Sequence, residues 1–224
     1  MTSLTTAPLA PLIARLFADA ESASAALNRR FAEATSVDQN ALMTRVRSKT
    51  DYADFYRDMK DQPLAVSRDT ATLLYMLARS CRAATIVEFG TSFGISTLHL
   101  AAALRDNGGG RIVTSEFEAS KAQRAQANLD AAGLSDLVEI RVGDALDTLA
   151  RDLPDAIDLV LLDGAKGVYA DILDLLEPRL RPGALIVADN ADWCRDYLAR
   201  VRSAEHGYMS VPFAEDVELS IRIG

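Results

Sequence analysis

Cysteine is scarce. The chain has 224 residues but only two cysteines, Cys81 and Cys194, too few for a disulfide framework and at no metal-binding spacing. A reducing cytoplasm is the simplest compartment. Long apolar runs are missing as well: no stretch is long and apolar enough to span a bilayer, so no membrane partner is expected. The segment from Met1 to Phe17 lacks a basic leader and meets Arg15 before any long apolar run, which argues against a secretory signal. Basic residues are outnumbered, 24 Lys and Arg against 32 Asp and Glu, for a formal charge of −8. That balance speaks against nucleic acid, which needs a basic stripe; the cluster Arg45, Arg47, Lys49 reads as a solvated helix face. Neither a nucleophile elbow, a zincin helix nor a paired-cysteine motif occurs, so hydrolase and zinc-enzyme chemistries have little support.

What is present is a large apolar fraction, 49%, with 25% charged residues, as in a soluble globule with a substantial core. Helical spacing of Leu12, Ile13, Leu16, Phe17, Ala20 and Leu27 predicts a helix from Pro11 to about Ala34. A second helix is expected over 38–49, followed by an aromatic-rich stretch with Tyr52, Phe55 and Tyr56. This first part, residues 1–62, reads as an N-terminal helical cap with a boundary near Asp61-Gln62-Pro63. It is expected to complete an acceptor pocket or form the contact of a homodimer.

Residues 63–224 alternate helix and strand. Helices are expected at 70–81, 95–104, 119–132 (closed by Gly133), briefly from Leu146, and up to Leu176. Strands are expected at 85–89, 111–116, 138–142, 157–162 and 185–189. Such alternation implies an α/β fold with a doubly wound, mostly parallel sheet. The last two strands, 209–212 and 217–223, are separated by four residues, which suits an antiparallel hairpin and brings the sheet to seven strands.

Two apolar runs stop in polar residues: Ile157 to Leu162 ends in Asp163-Gly164-Ala165-Lys166, and Leu185 to Ala188 ends in Asp189-Asn190. Strand carboxyl ends line the ligand crevice of an open α/β sheet. Two carboxylates, an amide oxygen and a lysine gathered there would make a hard-cation site with a base beside it. Singly, each residue has a plainer reading. Asp163 could cap a helix, Asn190 could form a turn, and Lys166 could be a surface lysine. Further upstream, Glu88-Phe89-Gly90 to Gly94-Ile95-Ser96 is a strand, a glycine turn and a helix start. Its spacing is not the G-x-G-x-x-G of dinucleotide sites. Glu116 ends the second strand, where it could accept ribose hydroxyls or sit at a helix start. Gly143-Asp144-Ala145 ends the third, with Asp144 placed to meet an adenine or to cap a helix. His99 reads as a packed helix residue.

These residues resemble the S-adenosylmethionine-dependent, divalent-metal-dependent O-methyltransferases of the catechol and caffeoyl-CoA type, from about Leu64 to the C-terminus. The resemblance implies a Rossmann-like class I methyltransferase fold. It implies S-adenosylmethionine as cofactor, held by Val66 and Ser67 of a closing loop, by Glu88, Gly90 and Ser96 of the first turn, and by Glu116, Phe117, Asp144, Ala145 and Asp163. It further implies Mg²⁺ or another divalent cation on Asp163, Asp189 and Asn190, and Lys166 as the base. Asp163-x-x-Lys166-x-x-Tyr169 and Asp189-Asn190-x-x-Trp193 keep the family's residue types at its spacing; Tyr169 and Trp193 could be core or rim aromatics, or could face a small hydroxylated, catechol-like acceptor. A phenol is a poor nucleophile while protonated, its ordinary pKa being about 10. A cation would favour the phenolate, and Lys166 beside a dication is expected to have a lowered pKa. The segment between Asn190 and the hairpin, 191–208, is shorter than in many family members.

Overall fold

Mostly apolar strands form the middle of the sheet, because both of their faces are covered. The computed structural model describes residues 2–214 and 216–224, apart from the Arg30 side chain. Met1, which begins the expected non-secretory N-terminal segment, and Glu215, within the expected hairpin connection, lie outside the described residues. Elements follow in the order α1 (Leu9–Glu33), α2 (Ser36–Arg47), α3 (Tyr52–Asp58), α4 (Arg68–Ser80), β1 (Thr85–Phe89), α5 (Ile95–Asn107), β2 (Arg111–Glu116) and α6 (Ala119–Ala132). Then come β3 (Val138–Val142), α7 (Ala145–Thr148), β4 (Ile157–Leu162), α8 (Tyr169–Leu176), β5 (Leu180–Ala188), α9 (Arg195–Val201), β6 (Tyr208–Phe213) and β7 (Val217–Arg222).

The seven-stranded sheet has the order β3-β2-β1-β4-β5-β7-β6. Strands β1 to β5 are parallel, β7 runs antiparallel to β5, and β6 runs antiparallel to β7. The chain leaves β1 toward β2 and β3, then returns to β4 on the other side. A ligand crevice therefore opens at the carboxyl ends of β1 and β4. Strand side chains alternate between two cores: Ile86, Leu159 and Leu161 face one, while Val87, Val160 and Leu162 face the other.

Helix α5 is buried over every residue from Ile95 to Leu104, as a helix without a polar stripe must be. Its cover includes the first half of α1, whose Leu9, Leu12, Ile13, Leu16, Phe17 and Ala20 join the same core. The N-terminal extension is thus anchored by core packing through α1, while α2 and α3 reach the crevice. Strand β5 begins five residues before the expected Leu185, and α9 arises in a segment with no assigned element. Among the described residues, no helix is long and apolar enough to cross a membrane.

Candidate active site

The ends of β1 and β4 are pulled together at one glycine. Gly90 has φ +104°, and a Cβ on it would overlap the carbonyl oxygen of Asp163. The Asp163 amide in turn donates to Phe89 O at 2.8 Å. Gly90 thus admits the neighbouring strand end as well as a ligand. Beside it lies a cleft of about 530 Å³ lined by Gly90, Ser92, Glu116, Phe117, Lys121, Gly143, Asp144, Ala145 and Asp163.

Glu116 is fixed in that cleft by backbone: Ser92 N donates to Oε2 at 2.7 Å and Glu118 N to Oε1 at 2.8 Å. Burial nevertheless pushes its carboxyl up. Each oxygen keeps a lone pair for a ribose hydroxyl. The Ser92 hydroxyl is buried with no partner among the described residues, an orphan that a bound nucleoside cofactor can satisfy. Asp144 caps a helix and lines the cleft. Its Oδ1 caps α7 through Leu146 N at 2.9 Å, and Oδ2 accepts from the Tyr52 hydroxyl.

Three residues expected at the cofactor lie elsewhere. Glu88 is completely buried under the turn and accepts from Ser96 Oγ at 2.6 Å, Thr97 Oγ1 at 2.6 Å and Thr114 Oγ1 at 2.7 Å. Val66 packs in the core, and Ser67 caps α4 by accepting from Thr70 N at 3.0 Å. Leu64 is the residue of that loop that lines the cleft. Ser96 borders a small adjoining pocket with its hydroxyl donated to Glu88.

Burial outweighs the three hydroxyls on Glu88 and pushes its carboxyl up to about 7. A folded-state pKa above the unfolded one means that Glu88's contribution to stability is fully present below about pH 4.5. It is lost as the pH rises through about 7. Glu88→Gln is expected to flatten the stability profile across that window by about 3 kcal/mol, read by urea unfolding at the two ends. An unchanged slope would show that Glu88 does not titrate there.

The second cluster forms where β4 and β5 end. Lys166 Nζ donates to Asp163 Oδ1 at 3.0 Å, to Tyr169 Oη at 2.8 Å and to the Asp189 carbonyl at 3.3 Å. Only 6% of Lys166 is exposed, so it is no surface lysine. Burial opposes its charge, but Asp163, Tyr56 and Asp189 outweigh burial and raise the ammonium above the ordinary lysine range. The Asp163 carboxylate, which pairs with the ammonium, is the largest of these raising charges. Burial, and then the nearby Asp163 carboxylate, push Asp189 up to about 8.

Asn190 adopts left-handed backbone, φ +50°. Its Nδ2 donates to Asp216 Oδ2 at 2.9 Å, which leaves Oδ1 as the atom available to a cation. Among the described residues, no three His, Cys, Asp or Glu side chains form a ligand group. Asp163, Asp189 and Asn190 would offer two carboxylates and an amide oxygen, hard donors of the kind that suit Mg²⁺ with positions left over for water and an acceptor. The crowding of Asp163 on Asp189 is the strain a dication there would relieve.

Tyr169 does not offer a face to an acceptor. It is 1% exposed, donates its hydroxyl toward Leu162 O and Asp189 O, and holds Lys166 from below. Trp193 is half-buried and lines a neighbouring cleft. His99 is packed, its Nδ1 against Ile95 O. The sequence reading missed Tyr52, Tyr56 and Lys121. Tyr52 and Tyr56 line the cofactor cleft from one face of α3, and Tyr56 donates to Gly164 O at 3.0 Å. Their i, i+4 spacing was the available signal. Lys121 had none, since only the turn of α6 onto the cleft brings it beside Glu116.

An acid at the end of β2 and a crevice at the switch point place the fold among the Rossmann-like α/β nucleoside-cofactor folds. The family described as Methyltransferase domain matches residues 87–191. The chain is similar to a catechol O-methyltransferase from Niastella koreensis, at 38% identity over 57% of this chain and 58% of that protein. It is also similar to one from Mycobacterium tuberculosis, at 34% identity over 71% of this chain and 69% of that protein. Among solved structures, the O-methyltransferase TomG from Streptomyces achromogenes, in complex with S-adenosylmethionine, aligns with TM-score 0.62 and 28% identity. That alignment covers 82% of this chain and 90% of the other. The chain belongs to the S-adenosylmethionine-dependent O-methyltransferases of the catechol O-methyltransferase type.

Proposed function

We propose that the protein transfers the methyl group of S-adenosylmethionine to a hydroxyl oxygen of a small aromatic acceptor with adjacent hydroxyls, using a divalent cation and Lys166 as proton acceptor. The observation that carries this reading is the meeting of Asp163, Lys166, Asp189 and Asn190 beside the cofactor cleft, with Asp163 belonging to both. S-adenosylmethionine supplies an electrophilic methyl group, and the cation supplies charge that favours an ionised acceptor oxygen. Glu116 and the Ser92 hydroxyl hold the nucleoside. Asp163, Asp189 and Asn190 Oδ1 hold the cation. Lys166 takes the acceptor proton on Nζ, and Tyr169 keeps that nitrogen in place. Much of the rate enhancement then comes from alignment of the two substrates.

The test is methyl transfer to catechol with Mg²⁺ and with excess EDTA. Turnover is expected to vanish on chelation and to return with Mg²⁺. Turnover indifferent to EDTA would remove the cation from the mechanism and leave a metal-independent methyltransferase.

A further inference from the structure

A second cleft, of about 780 Å³, begins where the cofactor cleft stops along the same turn: Asp163 to Ala165 wall the first, Lys166 and Gly167 the second. Its opposite walls are Trp193, Arg195, Arg47 at the end of α2 and Lys49 just beyond it. Arg47 is held there by backbone packing. A Cβ on Gly167 would meet Ser48 O at 2.6 Å and Arg47 O at 2.7 Å, so the end of α2 presses directly on the turn that carries Lys166.

The charges of this cleft are unevenly answered. Lys49 Nζ pairs with Asp171 Oδ2 at 2.7 Å, and Asp196 adds to that balance. Arg47 and Arg195 are exposed, yet neither makes an ion pair or side-chain hydrogen bond among the described residues. Burial pushes the Cys194 thiol up to about 12, so it adds no negative charge. In a chain of formal charge −8, two unanswered guanidinium groups beside an indole are a selective feature. Guanidinium binds carboxylate bidentately, and the indole face suits an aromatic ring.

We propose that this cleft selects acceptors bearing a carboxylate, with the ring against Trp193 and the carboxylate between Arg47 and Arg195. The inference rests on the O-methyltransferase reading for its placement of the reacting hydroxyls at Asp163, Asp189 and Asn190. It disfavours acceptors whose side chain is an amine.

The test compares kcat/KM for catechol, 3,4-dihydroxybenzoate and dopamine. The acid is expected to exceed the amine by about tenfold or more, and Arg47→Glu and Arg195→Glu each to cut that ratio by roughly tenfold, the scale of one charge-assisted hydrogen bond. A second measurement needs no reaction. Trp193 is the single tryptophan, so benzoate is expected to change its fluorescence saturably, with at least about tenfold weaker binding in Arg195→Glu. Methylation of catechol with no preference for the acid, or a preference unchanged in both variants, overturns the inference and leaves the O-methyltransferase reading intact. If no catechol is methylated, that reading fails by itself, and the fluorescence titration still judges the cleft: benzoate binding indifferent to Arg195→Glu overturns it.

Discussion

Lys166→Met is expected to lower kcat for methyl transfer by about 10²- to 10⁴-fold, the span of general-base catalysis. The side chain is held by three oxygens, at 3.0 Å from Asp163 Oδ1, 2.8 Å from Tyr169 Oη and 3.3 Å from the Asp189 carbonyl. Its nitrogen thus has one defined position. Burial alone would favour the neutral amine, and the charges of Asp163 and Asp189 reverse that preference. In the proposed mechanism, engagement of Asp163 by the cation would ease proton acceptance by Lys166, which would tie the base to that site. Lys166→Arg is not expected to rescue activity, because a guanidinium stays protonated. A purely structural lysine would behave differently. Arginine would restore part of kcat, and the pH dependence of kcat in the wild type would show no basic group. A kcat within about threefold of wild type in Lys166→Met would remove the residue from the chemistry.

Gly90→Ala is expected to destabilise the fold by about 2–5 kcal/mol, combining a left-handed non-glycine residue with overpacking. Its Cβ would meet the Asp163 carbonyl carbon at 2.7 Å and Gly164 N at 2.9 Å, both backbone atoms with little freedom to move. The same displacement would spread β1 from β4 at the crevice, so cofactor affinity is expected to fall along with stability. Gly108→Ala is the control. Gly108 has a similar φ, +106°, but a Cβ there meets nothing within 4 Å, so only the conformational cost of roughly 1 kcal/mol remains. Urea unfolding of the two variants separates strain from collision. Equal loss in both would show that the strand ends can yield at Gly90.

The sequence by itself determined the sheet and the reach of its polar ends. Short, mostly apolar runs that stop at Phe89, Leu162 and Ala188 in a chain alternating with helices read as buried parallel strands, and a connection of four residues, Phe213 to Asp216, reads as a hairpin. Asp163, Glu116, Asp189 and Asn190 lie at or just beyond the carboxyl ends of β4, β2 and β5, since strand ends are one-dimensional features of the chain. The direction of each side chain was decided by tertiary contacts. Glu88 and Glu116 lie on neighbouring strands, yet Glu88 turns under the sheet onto three hydroxyls while Glu116 meets backbone amides in the cleft. Tyr169 keeps the expected spacing from Lys166 but goes into the core, because its hydroxyl finds Leu162 O and Asp189 O there. The helices before residue 63 carried no motif. Their approach to the site depends on Gly167 admitting the end of α2 and on Asp144 and Gly164 receiving Tyr52 and Tyr56. Such contacts join residues some 90 to 120 positions apart, and no local pattern encodes them.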